Sequence, residues 1–242
     1  MIRKIYDRRG TTMKGKLIII EAGDGSGKET QSKRLYQRLK DEGYNARIIR
    51  FPNYGSDSSA LVRMYLRGDF GSRPDDVNAY ASSVFFAVDR FASYKTDWKD
   101  FYESGGIILA DRYTTSNMVH QAAKLEDPDE RKRYLEWLYD LEFVKLGLPV
   151  PDCVILLDMP PEYAQRLIKD RSNKITGQEE KDIHEKDEAY LEKVYRTTKS
   201  LAEAYGWHRI ACTKDGGIRS IEDIHEDVYE VVKNLLDSKQ GG

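Results

Sequence analysis

Apolar residues fall along this 242-residue chain in two rhythms. One is short and unbroken. Residues 17–20, 107–110 and 154–157 are continuous apolar runs bounded by polar or glycine-containing sequence, the pattern of strands buried on both faces. Residues 46–50 and 208–211 read as two further strands, the former closed by Pro52, which cannot extend a central ladder. The other rhythm has spacings of three and four, and predicts helices. Leu35 and Leu39 follow the first strand, and Leu61, Val62, Tyr65 and Leu66 form a stripe broken at Gly68. Pro74, Asp75 and Asp76 open a helix whose stripe is Val77, Tyr80, Ala81, Val84, Phe85, Val88 and Phe91. Later stripes run through Tyr134, Leu135, Leu138, Leu141 and Val144, then Tyr190, Leu191, Val194, Leu201 and Ala204. The last is Ile221, Ile224, Val228, Val231, Val232 and Leu235. Strands alternating with helices predict one α/β domain with a five-stranded parallel sheet flanked by helices.

The first strand leads into Gly23-Asp24-Gly25-Ser26-Gly27-Lys28-Glu29-Thr30, then a helical pattern. Strand, glycine loop, Lys and helix together form the layout of a phosphate-binding P-loop. Glycines let backbone N–H groups converge on an anion. The helix N-terminus adds its dipole and Lys28 a full charge. Two positions depart from the motif: Ala22 stands in place of Gly, and Glu29 in place of Ser or Thr. Glu29 brings a negative charge where Mg²⁺ usually finds a hydroxyl ligand. The expectation is that its side chain turns away and water completes the Mg²⁺ shell; direct ligation is the alternative.

Composition narrows the class. A net charge of −2 with 33% charged residues gives no polyanion-binding bias, so nucleic acid is not an expected partner. Cys153 and Cys212 each flank an apolar run and read as reduced core residues. No apolar run is long enough to span a membrane, and the basic N-terminus lacks the apolar core of a secretory signal. The expected compartment is the cytoplasm. Residues 1–12 show no period and read as a leader tail ahead of a domain at 13–242, with Met13 an alternative start.

Ligands of open parallel sheets sit beyond the carboxyl ends of the strands. Those ends carry Arg50, Phe51 and Pro52 after the second strand and Asp111, Arg112 and Tyr113 after the third. Asp111 is the better candidate for supporting Mg²⁺, because Arg112 beside it supplies the cation that phosphoryl transfer needs. Asp158, after the fourth strand, reads as structural, and His184 and His225 read as surface helix residues.

The P-loop stretch, then Arg50-Phe51-Pro52, then residues 86–90, then residues 111–117 with Gln121, follow one another as they do in thymidylate kinase, and the chain resembles that family from Lys14 onward. The resemblance implies a single-domain nucleoside-monophosphate-kinase fold, usually a homodimer, that converts ATP and dTMP to ADP and dTDP with Mg²⁺. It implies that Asp24 accepts the acceptor's 3′-hydroxyl and that Phe86 stacks on thymine. Arg90, Asn117 and Gln121 would read the base edge, His120 would pack near the sugar, and Phe51 would shape the pocket. Arg112 would bridge the acceptor and transferred phosphates, and Asp111 would support Mg²⁺. An Arg that the family often carries after Phe-Pro is replaced here by Asn53 and Tyr54. The polar segment 170–182 resembles the family's lid. Relatives with Gly at the position of Gly25 carry a catalytic cation there, which implies Arg171 or Lys174.

Rival readings remain on sequence grounds. A GTPase switch would need Asn-Lys-x-Asp, which residues 173–176 fail at the last position. Ala22 and Glu29 suggest a weakened nucleotide-binding relative, and a kinase for another nucleoside or deoxynucleotide shares most of these motifs.

Overall fold

The computed structural model describes residues 14–172 and 188–238, with the side chains of 169–172 and 188 outside that description. The tail at 1–12, Met13, His184 and the lid from residue 173 onward, with Lys174, lie outside the described residues.

The chain runs β1 (Lys16–Glu21), α1 (Lys28–Asp41), β2 (Ala46–Arg50), α2 (Ala60–Arg67), α3 (Ala79–Ser93), α4 (Lys99–Glu103) and β3 (Ile107–Asp111). It continues through α5 (Thr114–His120), α6 (Pro128–Tyr139), β4 (Cys153–Asp158), α7 (Pro161–Ser172), α8 (Glu188–Ala204), β5 (His208–Ala211), β6 (Thr213–Lys214), β7 (Gly217–Ile218) and α9 (Ile221–Asp237). The five longer strands form one sheet in the order β2-β3-β1-β4-β5, every pairing parallel. The apolar runs explain why: Leu17, Ile18, Ile19 and Ile20 are fully buried, and alternate residues feed different clusters on the two faces. Ile18 and Ile20 pack with Leu35, Leu39, Val228 and Val232 of α1 and α9. Leu17 and Ile19 pack with Tyr94, Trp98 and Tyr113 on the other face. Each side chain so buried contributes about 1.5–3 kcal/mol.

β1 lies between β3 and β4, so the chain reverses direction across the sheet at the end of β1 and opens a crevice there. The P-loop fills that crevice.

Three expectations change. Pro74–Asp76 is a single 3₁₀ turn, and α3 starts at Ala79 with Asn78 as its cap, its side chain accepting from the Ala81 N–H. Val77 between them is extended, as the residue after an isolated turn can be. The inner face of α3 is also rotated from the apolar stripe. Ser82, Ser83, Asp89 and Arg90 are buried, whereas Val84 and Val88 are 39% and 46% exposed. The polar residues turn inward onto polar partners: Ser82 onto Gln121, Ser83 onto Tyr134, Asp89 onto Asn53 and Ser58, and Arg90 onto Glu142. His225 is not a surface residue: it is buried on α9, and burial followed by the nearby Arg38 pushes its pKa down. The short antiparallel pair β6–β7 carries too little pattern to read from sequence.

Candidate active site

Residues 22–27 curl between β1 and α1 with Gly25 at φ 75° and Gly27 at φ 81°. The Ser26 hydroxyl donates to the Gly23 carbonyl at 2.5 Å and pins the curl. Gly25 admits no side chain at all. A Cβ there would lie 2.8 Å from the Ala164 carbonyl and 2.7 Å from Ile168 on α7. The chain therefore has no room for a basic residue inside the loop at this position.

Around the cradle sits a compact charge cluster. Lys28 Nζ is 3.3 Å from Asp111 Oδ1, and Asp111 Oδ2 accepts from Arg50 Nε at 3.0 Å. Burial, followed by the field of Arg112, lowers the Lys28 pKa against the opposing pull of Asp111, Asp24 and Glu21. Arg112 leaves β3 at φ 68°, an uncommon conformation for a non-glycine residue. That turn aims its guanidinium across the crevice. One nitrogen pairs with Asp24 of the loop, and the other lies 3.2 Å from His120 Nε2 and 3.7 Å from Glu21 Oε1. Burial would push the Asp24 carboxyl up, but Arg112, Lys28 and His120 outweigh it and hold the group well below the usual carboxylate range. The same carboxylates raise the Arg112 pKa against its own burial. Arg112 is a permanent cation.

Sequence reasoning passed over Glu21. It is 1% exposed and accepts from the hydroxyls of Thr115 and Ser116 at 2.8 Å each, and from the Ala22 N–H at 3.2 Å. It ties the P-loop, Arg112 and the start of α5 together. An acid ending an apolar strand was the available signal.

The far wall carries the aromatic and amide groups. Phe86 packs edge-on against Tyr65, ring centroids 6.2 Å apart, and its ring lines the cavity. Phe51 is buried with its ring 6.0 Å from Tyr113. Asn117 Nδ2 donates to the Ser83 carbonyl at 3.2 Å, and Gln121 Oε1 accepts from Ser82 Oγ at 2.7 Å. Arg90 is 1% exposed, not a solvated face. Glu142 takes Nε at 2.7 Å and Nη2 at 2.5 Å, and Nη1 reaches the Tyr113 carbonyl at 3.4 Å. Asp158 is held by Arg209 and Tyr195, in keeping with a structural role.

Glu29 turns to cations. Its carboxylate pairs with Lys33 at 2.8 Å and Arg50 at 3.4 Å, and these contacts, the Lys33 hydrogen bond foremost, lower its pKa. Replacing it removes a charge that is already largely neutralised. Glu29→Ser is therefore expected to keep kcat within about twofold and to lower KM for Mg·ATP by less than about tenfold. A collapse of kcat with weakened Mg²⁺ dependence in a metal titration would make Glu29 a ligand instead.

One cavity of about 660 Å³ is lined by the loop, by Phe86, Asn117 and Gln121, and by Arg112. Sequence reasoning also missed its apolar arm: Ile218, Ile221 and Ile224 beside Leu167 and Arg219. The Gln31 side chain reaches the Ile221 carbonyl at 2.9 Å, coupling α1 to this arm. Arg171 lies in the last turn of α7.

A glycine loop at the strand-order reversal, sharing its cavity with a wall of aromatic and amide side chains, has the layout of a P-loop nucleoside monophosphate kinase. A family model described as thymidylate kinase matches residues 20–228. A probable thymidylate kinase of Pyrococcus horikoshii is 31% identical over 224 residues, covering 93% of this chain and 98% of that one. The thymidylate kinase of Mycobacterium tuberculosis is 31% identical over 192 residues, covering 79% and 87%. The solved thymidylate kinase of Candida albicans superposes with a TM-score of 0.68 at 21% identity, covering 93% of both chains, and shares the fold. The chain belongs to the thymidylate kinase family, whose activity is the ATP-dependent phosphorylation of dTMP.

Proposed function

We propose that the domain at 13–242 transfers the γ-phosphoryl group of ATP to dTMP with the side chains described above in specific roles. The observation that carries this reading is the span of Arg112. Its guanidinium touches Asp24 on the phosphate loop and His120 beside Gln121, so one cation reaches both halves of a single cavity. Phosphoryl transfer asks mainly for positioning and charge stabilisation, and that is what such a cation offers.

ATP phosphates lie in the loop of residues 23–30 against Lys28, and the adenine lies in the apolar arm near Ile218 and Ile221. dTMP takes the other end, with Phe86 against its ring, Phe51 shaping the pocket, and His120 near the sugar. When the acceptor phosphate reaches Arg112, Asp24 gives up its ion pair and accepts the 3′-hydroxyl. Asn117 turns Nδ2 to Ser83, which leaves Oδ1 to accept from a base N3–H. At the phosphate end Asp111 is the carboxylate that would support Mg²⁺; its two oxygens are paired with Lys28 and Arg50, which suits a role through metal-bound water better than direct ligation. Bound with ATP there, Mg²⁺ would neutralise phosphate charge, with Asp111 acting through water. Arg171 and Lys174 are the candidates for a second cation from the lid. The exposed Val84 and Val88 on α3 support a homodimer, and the absence of a helix long and apolar enough to cross a membrane among the described residues is compatible with the cytoplasm.

A site that hydrogen-bonds a base edge rejects a mismatched edge strongly. In a coupled ADP-release assay with dTMP, dUMP, dCMP, dGMP and thymidine as acceptors, dTMP is expected to exceed dCMP by roughly a hundredfold or more in kcat/KM. Equal turnover of the two would remove the base-reading assignment.

A further inference from the structure

Behind the wall that carries Gln121, the turn after α5 places Lys124 in a position that neither the P-loop nor the phosphate chemistry explains. Its ammonium has three protons, and three acceptors surround it: the Val77 carbonyl at 2.8 Å, the Tyr65 hydroxyl at 3.0 Å and Ser82 Oγ at 3.4 Å. Ser82 is fully buried, and its oxygen lies 2.7 Å from Gln121 Oε1. Lysine, serine and glutamine thus form a chain from α2 and α3 to the cavity wall.

We propose that Lys124 is a positioning residue for acceptor-base specificity: through Ser82 it holds the Gln121 amide with its oxygen inward and its NH₂ group toward the cavity. This rests on the dTMP-kinase reading of the site. A planar amide can sit either way round, and its neighbours decide. The hydroxyl of Ser82 has one proton and three acceptors in reach of it, Gln121 Oε1 at 2.7 Å, the Asn78 carbonyl at 2.9 Å and the Ala79 carbonyl at 3.4 Å. An ammonium beside Ser82 settles the choice. It attracts the negative end of the Gln121 dipole and repels the NH₂ end, so the oxygen turns inward. Gln121 then offers the cavity a donor while Asn117 offers an acceptor. That pair complements a base edge with a ring N–H beside a carbonyl, and opposes one with a bare ring nitrogen beside an exocyclic amine.

The charge on Lys124 is adjustable. Burial lowers its pKa to about 8, partly offset by Asp75. Tyr65 faces it from α2 and Asp75 from the turn before α3. α8 packs on the same turn with Tyr190 and Lys193, which engage the His120 carbonyl and Glu126. Below pH 8 the ammonium is present and the amide is fixed. Above it the neutral amine no longer favours one orientation.

The test compares kcat/KM for dTMP and dCMP in the wild type, Lys124→Met and Ser82→Ala, with KM for ATP measured alongside. Both variants are expected to lose about tenfold of the dTMP/dCMP ratio, chiefly through KM for the acceptor, with KM for ATP and kcat for dTMP within about threefold. The wild-type ratio itself should fall between pH 7 and 9, a readout that needs no variant to fold. A ratio unchanged by both variants and by pH overturns the proposal. A wild type that never discriminates dTMP from dCMP overturns the underlying reading instead, and the two failures are distinct.

Discussion

Arg112→Ala should fold normally and lose on the order of 10³ in kcat, the size expected when a transition-state cation is removed from a low-dielectric site. The geometry makes the expectation specific. Arg112 touches Asp24 of the P-loop and His120 of α5 at once, and its left-handed turn places it there. Folding should survive because Glu21, its buried counter-ion, keeps the Thr115 and Ser116 hydroxyls and the Ala22 N–H as partners. Far-UV circular dichroism checks the fold, and single-turnover kinetics separates chemistry from product release. A folded variant with near wild-type kcat would move the catalytic cation to the lid, and Arg171→Ala and Lys174→Ala would then be compared.

The largest stability effect is expected from Glu142→Gln. Arg90 and Glu142 are 2% and 0% exposed at their side chains and meet through two parallel hydrogen bonds, with Thr114 Oγ1 donating a third to Glu142 at 2.6 Å. Neutralising one partner leaves a buried guanidinium charge without its counter-ion. Breaking a buried pair in this way costs roughly 3–5 kcal/mol. For a chain of this size that corresponds to a fall of about 10 °C in Tm. The double variant Arg90→Met, Glu142→Leu should recover most of the loss, because the cost comes from the orphaned charge more than from the missing pair. Urea denaturation of all three proteins decides it. A loss under about 1 kcal/mol in Glu142→Gln would mean that water or another group already solvates Arg90.

The two halves of the molecule differ in how openly the sequence displays them. The sheet is legible because a strand buried on both faces must be apolar throughout, and residues 17–20, 107–110 and 154–157 can hardly be anything else. The P-loop is legible because a backbone that wraps an anion needs glycine at Gly25 and Gly27, both at positive φ. The wall formed by α3 hides. On α3 the inward residues are Ser82, Ser83, Asp89 and Arg90, so the apolar stripe points the wrong way. Asp89, for instance, is buried because it accepts from the Asn53 N–H and the Ser58 hydroxyl, holding the loop after β2. Glu142 lies among Leu138, Leu141 and Phe143, and nothing local says that an arginine 52 positions earlier needs it. Polar partners distant in sequence leave no period. For the same reason nothing local in the sequence singles out Lys124, whose partners Tyr65, Val77 and Ser82 lie 42 to 59 positions earlier.

The proposed roles bring ATP and dTMP together in one cavity for direct transfer. Chromatographic identification of the products formed from ATP, Mg²⁺ and dTMP tests it most directly. Direct transfer yields dTDP and ADP in equal amounts, with ATP consumption falling to background when dTMP is left out or replaced by thymidine. ADP accumulating without dTMP, or dTMP recovered unchanged while ATP is spent, would contradict it.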